Sequence, residues 1–283
     1  MTYLYDSAKE SLFISNQLAT LPILPMTYLD HVTTTFEPIS LREMDAVALL
    51  NRVETKYVLS TTQILTALQN LQSSYRILSI EHQRIHSYRT LYFDTNGFKF
   101  FHDQVTGRSD IYKVRSREYL ETQLSYLEVK HKNQKRRTNK NRLLIAFHES
   151  IMTPQAQAFL GELIPPSRQS LEPKLWNTFE RITLVNLSDL ERITIDMNLR
   201  CFTEQQELSL GGIVIAEIKQ EKFSKGSAFM SEMRRQGIRK TGFSKYCFGV
   251  SQLYSTVKKN SQKEKLLMIE KLQHGGQSHV YYA

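Results

Sequence analysis

Lys113, Arg115, Arg117 and Tyr119 fall at every second position of IYKVRSREY, and in an extended chain that period puts all four on one face. Two guanidinium groups so spaced stand about 6.5–7 Å apart along a strand. That is of the order of the spacing between neighbouring phosphates, and each group can fork two hydrogen bonds onto phosphate oxygens. The pattern recurs. Glu128, Lys130 and Lys132 share a face against Leu127 and Val129, and Glu54 and Lys56 share one against Val53, Tyr57 and Leu59. Arg192, Thr194 and Asp196 alternate with Ile193, Ile195 and Met197, while Glu217 and Lys219 share a face with Ile213 and Ile215. One such strand alone reads as a solvated sheet edge. Strand after strand reads as a barrel whose converging faces make a lumen dominated by cations, with a few carboxylates among them. Such a lumen suits a polyanion together with a divalent metal. The chemistry it supports is phosphoryl transfer, which needs charge neutralisation on non-bridging oxygens, a metal and in-line positioning.

The composition agrees with a polyanionic partner. The 283 residues carry a formal net charge of +9, which fits a nucleotide, polyphosphate, nucleic acid or an anionic membrane. Hydrophobic residues make up 41% and mean hydropathy is −0.39, as in a globular chain able to bury a core. Cys201 and Cys247 are the only cysteines, too few for a disulfide scaffold, so a reducing, cytoplasmic setting is expected. No apolar run reaches the roughly 20 residues needed to span a bilayer, and no signal peptide is expected. The sequence holds no Walker A loop, G-x-G-x-x-G, G-x-S-x-G, H-E-x-x-H or C-x-x-C motif, and its histidines lack metal-ligand spacing.

The elements that must hold these faces follow in order. Residues 1–36 read as an extension broken by Pro22 and Pro25. Ser40 caps a helix striped by Leu41, Met44, Val47 and Leu50, and Ser60 caps a second one striped by Ile64, Leu65, Leu68 and Leu71. Tyr88, Thr90 and Tyr92 alternate along a strand that ends in the turn 94–97; their aromatic rings suit barrel wall better than a base-stacking platform. HKNQKRRTNKNR reads as a solvated basic loop in which Lys132, Lys135, Arg136 and Arg137 capture phosphate chains. Helices are expected over 153–163 and 171–179, a hairpin around 186–189, and strands at 201–202 and 208–219. SAFMSEMRRQG reads as a basic amphipathic helix ended by Gly237; GFSKYCFGVSQLYSTVKKN leads out of the domain, and a polar tail follows from residue 258.

Eight strings in order resemble the VTC (vacuolar transporter chaperone) domain, the polyphosphate polymerase module of the triphosphate tunnel metalloenzymes. They are R-x-E-x-K-Y (52–57), S-Y-R-T-L-Y-F-D-T (87–95), F-H-x-x-x-x-G (101–107) and K-V-R-x-R-x-Y (113–119). L-E-V-K-x-K (127–132), R-I-T-I-D (192–196), A-E-I-K (216–219) and F-S-K-Y-C (243–247) complete the set. The resemblance covers roughly residues 37–257 and implies an α+β fold, a closed antiparallel tunnel of about eight strands with helices packed outside. It implies that Lys56, Arg115, Arg117, Lys130, Arg181, Arg192 and Lys245 bind the triphosphate or the chain, with Ser244 adding a hydroxyl contact and Lys219 a further charge. Glu217, with Glu54, would ligate Mn²⁺ or Mg²⁺. The implied reaction moves the γ-phosphate of ATP onto a phosphate chain. Nucleic acid is not an expected partner, and export of the product would need a separate membrane partner, placing the protein at the inner face of a membrane.

Three departures bear on that reading. Arg52 stands where the wider superfamily places its first acid, which argues against a two-metal hydrolase. Gly242 replaces a lysine before F-S-K, and Phe179 replaces a tyrosine two residues before Arg181. The same clamp also serves hydrolysis of a triphosphate or cyclisation of ATP, and a basic lumen also suits a non-enzymatic polyanion binder.

Overall fold

The computed structural model describes residues 26–44, 52–135, 137–146, 153–224 and 226–274. Its frame is one antiparallel path of eight strands in the order β2-β11-β9-β8-β4-β5-β6-β7. These are β2 (Val53–Ser60), β4 (His86–Asp94), β5 (Ile111–Tyr119), β6 (Leu124–Lys132), β7 (Thr138–Ile145), β8 (Glu172–Asn186), β9 (Glu191–Phe202) and β11 (Ile213–Gln220). Three short strands flank the path: β1 (Pro38–Ile39) pairs with β3 (Arg76–Leu78), which pairs with β8, and β10 (Glu207–Ser209) pairs with β9.

The α+β architecture is the one expected, with helices packed on the outer face of the sheet and others, which were not expected there, at one end of its inner face. β2 and β7 end the path, so no backbone ladder closes it among the described residues. The sheet nevertheless rolls round on itself, because Lys130 of β6 reaches Glu54 of β2, Nζ to Oε2 at 3.6 Å.

Alternation along the strands separates the two faces. On the outer face Tyr57, Leu59, Ile182, Leu184, Ile193, Ile195, Val214, Ala216 and Ile218 form one core with α1 (Met26–Thr34), α3 (Thr61–Leu71) and α6 (Ala228–Arg235). A second outer core joins Leu91, Phe93, Val114, Leu127 and Val129 to α5 (Pro154–Leu163). The helix starts follow their caps: Ser60 accepts from the Gln63 amide in a full capping box, and Ser227 accepts from Met230. Gly237, with φ +69°, ends the stretch after α6 in the left-handed region.

The inner face has two zones. At one end Val58, Tyr92, Leu175, Phe179, Cys201, Ile213 and Ile215 pack against α4 (Lys99–Val105), α7 (Lys245–Leu253) and α8 (Lys263–His274). The charged residues occupy the rest. The expectation that 242–260 leads out of the domain is therefore overturned: α7 plugs one end of the barrel. Gly249 permits the contact, since a Cβ there would lie 2.6 Å from Leu175 Cδ2 and 3.1 Å from Cys201 Sγ. Asp94 ties the plug down, taking the Phe100 and Phe101 amides at 2.8 and 2.9 Å and the Tyr246 hydroxyl at 2.5 Å.

Other expectations change with the structure. The helix expected over 171–179 is the first half of β8, where Leu175 and Phe179 face inward and Trp176 packs outward; that two-residue alternation outweighs helix propensity. The strand expected over 208–219 is split into β10 and β11 at Gly212, whose φ is +75°. Residues 201–202 are the end of β9, which runs on through a bulge opposite Thr178/Glu180 with Asn198 at φ +51°. Ser40 does cap a helix, α2 (Leu41–Met44), and the rest of that expected stripe lies outside the described residues. The basic loop is mostly sheet: Lys140 and Arg142 sit on β7, paired with β6, and only a short turn joins the two strands.

Candidate functional site: a cation-lined barrel interior

Cross-strand register decides which charges meet. Arg181 lies opposite Asp196 in the β8–β9 ladder, and its Nε and Nη2 donate to Asp196 Oδ1 and Oδ2 at 2.5 and 2.9 Å. Lys245, the first residue of α7, pairs with the same carboxylate. Lys56 lies opposite Glu217 and meets its Oε2 at 3.0 Å, while Lys219 stands 3.4 Å from Oε1. Arg115 lies opposite Glu128, joined at 2.7 Å through Nε and 2.6 Å through Nη2, and Lys140 of β7 pairs with Glu128 as well. Glu54 takes Arg52 at 2.9 Å and Lys130 at 3.6 Å. Each of these inner carboxylates thus bridges two cations.

These pairs fix the ionisation of the acids. Burial pushes the Asp196 carboxyl up, but Arg181 and Lys245 outweigh it and hold it well below the usual range. Glu128 is held low in the same way, burial opposing Arg115, Arg117 and Lys140. For Glu217, burial is overcome by Lys219, Lys56 and Arg181. All three stay ionised at neutral pH.

Among the described residues, Lys113, Arg117 and Arg192 of the lumen make no ion pair with an acid. Arg117 and Arg192 each keep an Nε that is buried with no partner. Burial, then the like charge of Arg115, lowers the Arg117 guanidinium; burial, then Arg52 and Arg181, lowers that of Arg192. Burial pushes the Lys113 ammonium down to about 8, with Lys56 and Lys130 adding to the effect. Burial likewise brings Lys219 to about 8 against the pull of Glu217. Aromatic rings complete the wall. Tyr88 and Phe179 stack at 5.0 Å; Arg181 lies 4.8 Å from the Tyr88 ring, and Lys245 4.4 Å from that of Phe179. A wall of this kind has charge left over for an anion.

Most of the residues picked out by sequence therefore meet in one interior: Lys56, Arg115, Arg117, Lys130, Arg181, Arg192, Lys219, Lys245, Glu54 and Glu217. Ser244 is at the site's edge as the N-cap of α7, where its hydroxyl accepts from the Cys247 amide at 3.3 Å. Lys132, Lys135 and Arg137 are exposed at the β6–β7 end, and Arg136 lies outside the described residues. Sequence reasoning placed Lys113, Glu128 and Asp196 on charged faces without giving them a binding role, and counted Lys140 only among the cations of the basic loop. The two-residue period already carried Lys113, Glu128 and Asp196; Lys140 was hidden by the reading of its strand as a loop.

No group of three or more His, Cys, Asp or Glu side chains able to hold a metal exists among the described residues. Glu217 and Glu54 still fit a hard divalent cation. Both are on the inner face, on adjoining strands; burial and the neighbouring Glu217 push the Glu54 carboxyl up, but Lys130, Lys219 and Arg52 outweigh them and hold it below the usual range. Magnesium-type ions commonly take one or two carboxylates and complete their shell with substrate phosphates and water. No helix of the described residues is long and apolar enough to cross a membrane.

A family model described as VTC domain matches residues 51–254. A search of curated proteins finds no match. Among solved structures the chain is similar to a Hippeastrum protein described as a proposed adenylyl cyclase with a dominant triphosphatase activity, at 13% identity and TM-score 0.44, over 72% of this chain and 98% of that one. It is also similar to a Pyrococcus horikoshii protein, at 12% identity and TM-score 0.37, over 69% and 93% of the two chains. A Vibrio parahaemolyticus protein described as a proposed adenylate cyclase matches at 14% identity and TM-score 0.38, over 70% and 97%.

Proposed function

The chain belongs to the VTC domain family, and we propose on that footing that it is a polyphosphate polymerase. In this reading the terminal oxygen of a phosphate chain attacks the γ-phosphorus of ATP, the bond to the β-bridging oxygen breaks, and ADP leaves. The observation that carries it is the imbalance inside the barrel: Asp196, Glu217, Glu128 and Glu54 are each already held by two cations, while Lys113, Arg117 and Arg192 remain for the substrate. Cations fixed on neighbouring strands are preorganised for charge that develops on non-bridging oxygens, so they need not reorganise during transfer.

Arg115, Arg117, Lys56, Lys130 and Lys245 would contact the transferring groups, with Arg181, Arg192, Lys219 and Ser244 holding the rest of the chain. Lys132, Lys135 and Arg137, exposed at the end of the β6–β7 hairpin, would gather polyphosphate together with Arg136. Glu217 and Glu54 would hold Mn²⁺ or Mg²⁺, which supplies further neutralisation of phosphate oxygens when bound. The Arg52–Glu54 contact at 2.9 Å supports transfer over two-metal hydrolysis, because a guanidinium stands where a second metal would need an acid. The test is product accounting with ATP: polymerase action releases ADP without matching orthophosphate, hydrolysis releases both in equal amounts, and a non-enzymatic binder releases neither.

A further inference from the structure

One patch of the inner wall carries polar groups with nothing to bond. Thr90 Oγ1, both side-chain amide atoms of Asn177 and Nε of Arg117 are closed to solvent and without a hydrogen-bond partner. Thr90 and Asn177 are 0% exposed and Arg117 7%. The three are neighbours in register: Thr90 of β4 lies opposite Asn177 of β8 on one side and Arg117 of β5 on the other. Facing Cβ atoms in such pairs are about 4.5–5.5 Å apart. Their strands turn them inward, since Thr90 alternates with Leu91 and Asn177 with Trp176, both packed on the outside. The row lies between the Tyr88–Phe179 stack and Tyr92, which packs at 5.1 Å on Tyr246 of the plug.

Buried polar groups are rarely left unpaired, and several together on three adjoining strands call for an occupant. A hydroxyl, an amide NH₂ and a guanidinium N–H all donate, which selects an oxyanion. The amide oxygen accepts, and so favours an anion that can itself carry a proton. Terminal phosphoryl oxygens titrate near pH 6, unlike the bridging groups of a chain.

We propose that Thr90, Asn177 and Arg117 form a subsite at the plugged end of the barrel for the terminal phosphoryl group of a triphosphate or phosphate chain. This rests on the polyphosphate reading and deepens it. Neutral donors hold the group there without adding charge to a wall where Arg115 and Arg181 already repel Arg117.

Thr90→Val and Asn177→Leu keep the approximate side-chain volume and remove the donors. Their dissociation constants for tripolyphosphate, measured by calorimetry, should rise about tenfold each, and Thr90→Ser should bind as the wild type does. Without ligand the melting temperature should stay level or rise, because an unpaired buried polar group has been replaced by an apolar one. Should Asn177→Leu fail to fold, Thr90→Val against Thr90→Ser decides. Unchanged affinity, with or without a lower melting temperature, overturns the subsite. If the wild type binds tripolyphosphate and extends chains while the variants bind equally well, the subsite alone falls; a wild type that binds no tripolyphosphate overturns both readings.

Discussion

Asp196 and Arg181 face each other across the β8–β9 ladder and are joined at both oxygens, at 2.5 and 2.9 Å, with the plug residue Lys245 on the same carboxylate. The pair links the charged wall of the barrel to the helix that closes its end. Removing one side of a buried pair leaves an uncompensated charge, typically at about 3–5 kcal/mol. Asp196→Asn should therefore lower stability to denaturant by about that amount, and saturating tripolyphosphate should restore part of it by covering Arg181 and Lys245. A loss below about 0.5 kcal/mol, the range of an inconsequential surface change, would contradict the linking role.

Lys113 gives a pH signature. Burial brings its ammonium from an ordinary 10.5 down to about 8, so the unfolded chain binds more protons than the folded one between about pH 8 and 10.5. Stability of the ligand-free protein from this group should rise with pH across that window. Tripolyphosphate affinity should fall over the same range as the cation is lost. Lys113→Met should flatten both trends, measured by chemical denaturation and calorimetry at pH 7 and 9.5; unchanged slopes would remove Lys113 from the site.

Arg115 and Arg117 share a face of β5, but Arg115 is held by Glu128 whereas Arg117 has an unpartnered Nε. Lysine keeps the charge and loses the fork. Arg117→Lys should lower kcat by about tenfold or more, with a smaller rise in KM for ATP and no loss of melting temperature. Arg115→Lys should cost stability as well. Near-silent kinetics in the double variant would argue against an inward-facing clamp.

Glu217→Gln keeps the size of the side chain and loses the charge that holds a divalent ion. Metal-dependent turnover should fall by about 100-fold or more, with a cooperative unfolding transition retained. Near-wild-type turnover at saturating Mn²⁺ would exclude Glu217 as a ligand.

Neutralising Lys135, Arg136 and Arg137 together should weaken polyphosphate binding and flatten its dependence on salt, leaving kcat at saturating ATP nearly unchanged. An unaltered salt dependence would return these residues to an ordinary solvated turn.

Much of the barrel is legible in the sequence because strand side chains alternate by rule. The charged faces carrying Lys56, Arg115, Glu128, Arg192 and Glu217 needed only that period. The partners did not follow from it, since Arg181 with Asp196 and Lys56 with Glu217 are set by cross-strand register between distant segments. The plug was equally hidden: the segment holding Tyr246, Cys247, Phe248 and Val250 read as a lead out of the domain, and only Ile213 and Ile215, apolar on the face of Glu217, hinted that part of the lumen was filled. Lys140 was missed because local polarity resembles a loop when a strand is exposed on both faces.

The most direct test is incubation of the full chain with ATP and Mn²⁺, with the products resolved on a gel that separates phosphate polymers by length. The proposed function predicts a ladder growing to long chains over time, abolished in Glu217→Gln and slowed in Arg117→Lys. ATP consumed with orthophosphate as the sole phosphate product, or no ATP consumed at all, would contradict it.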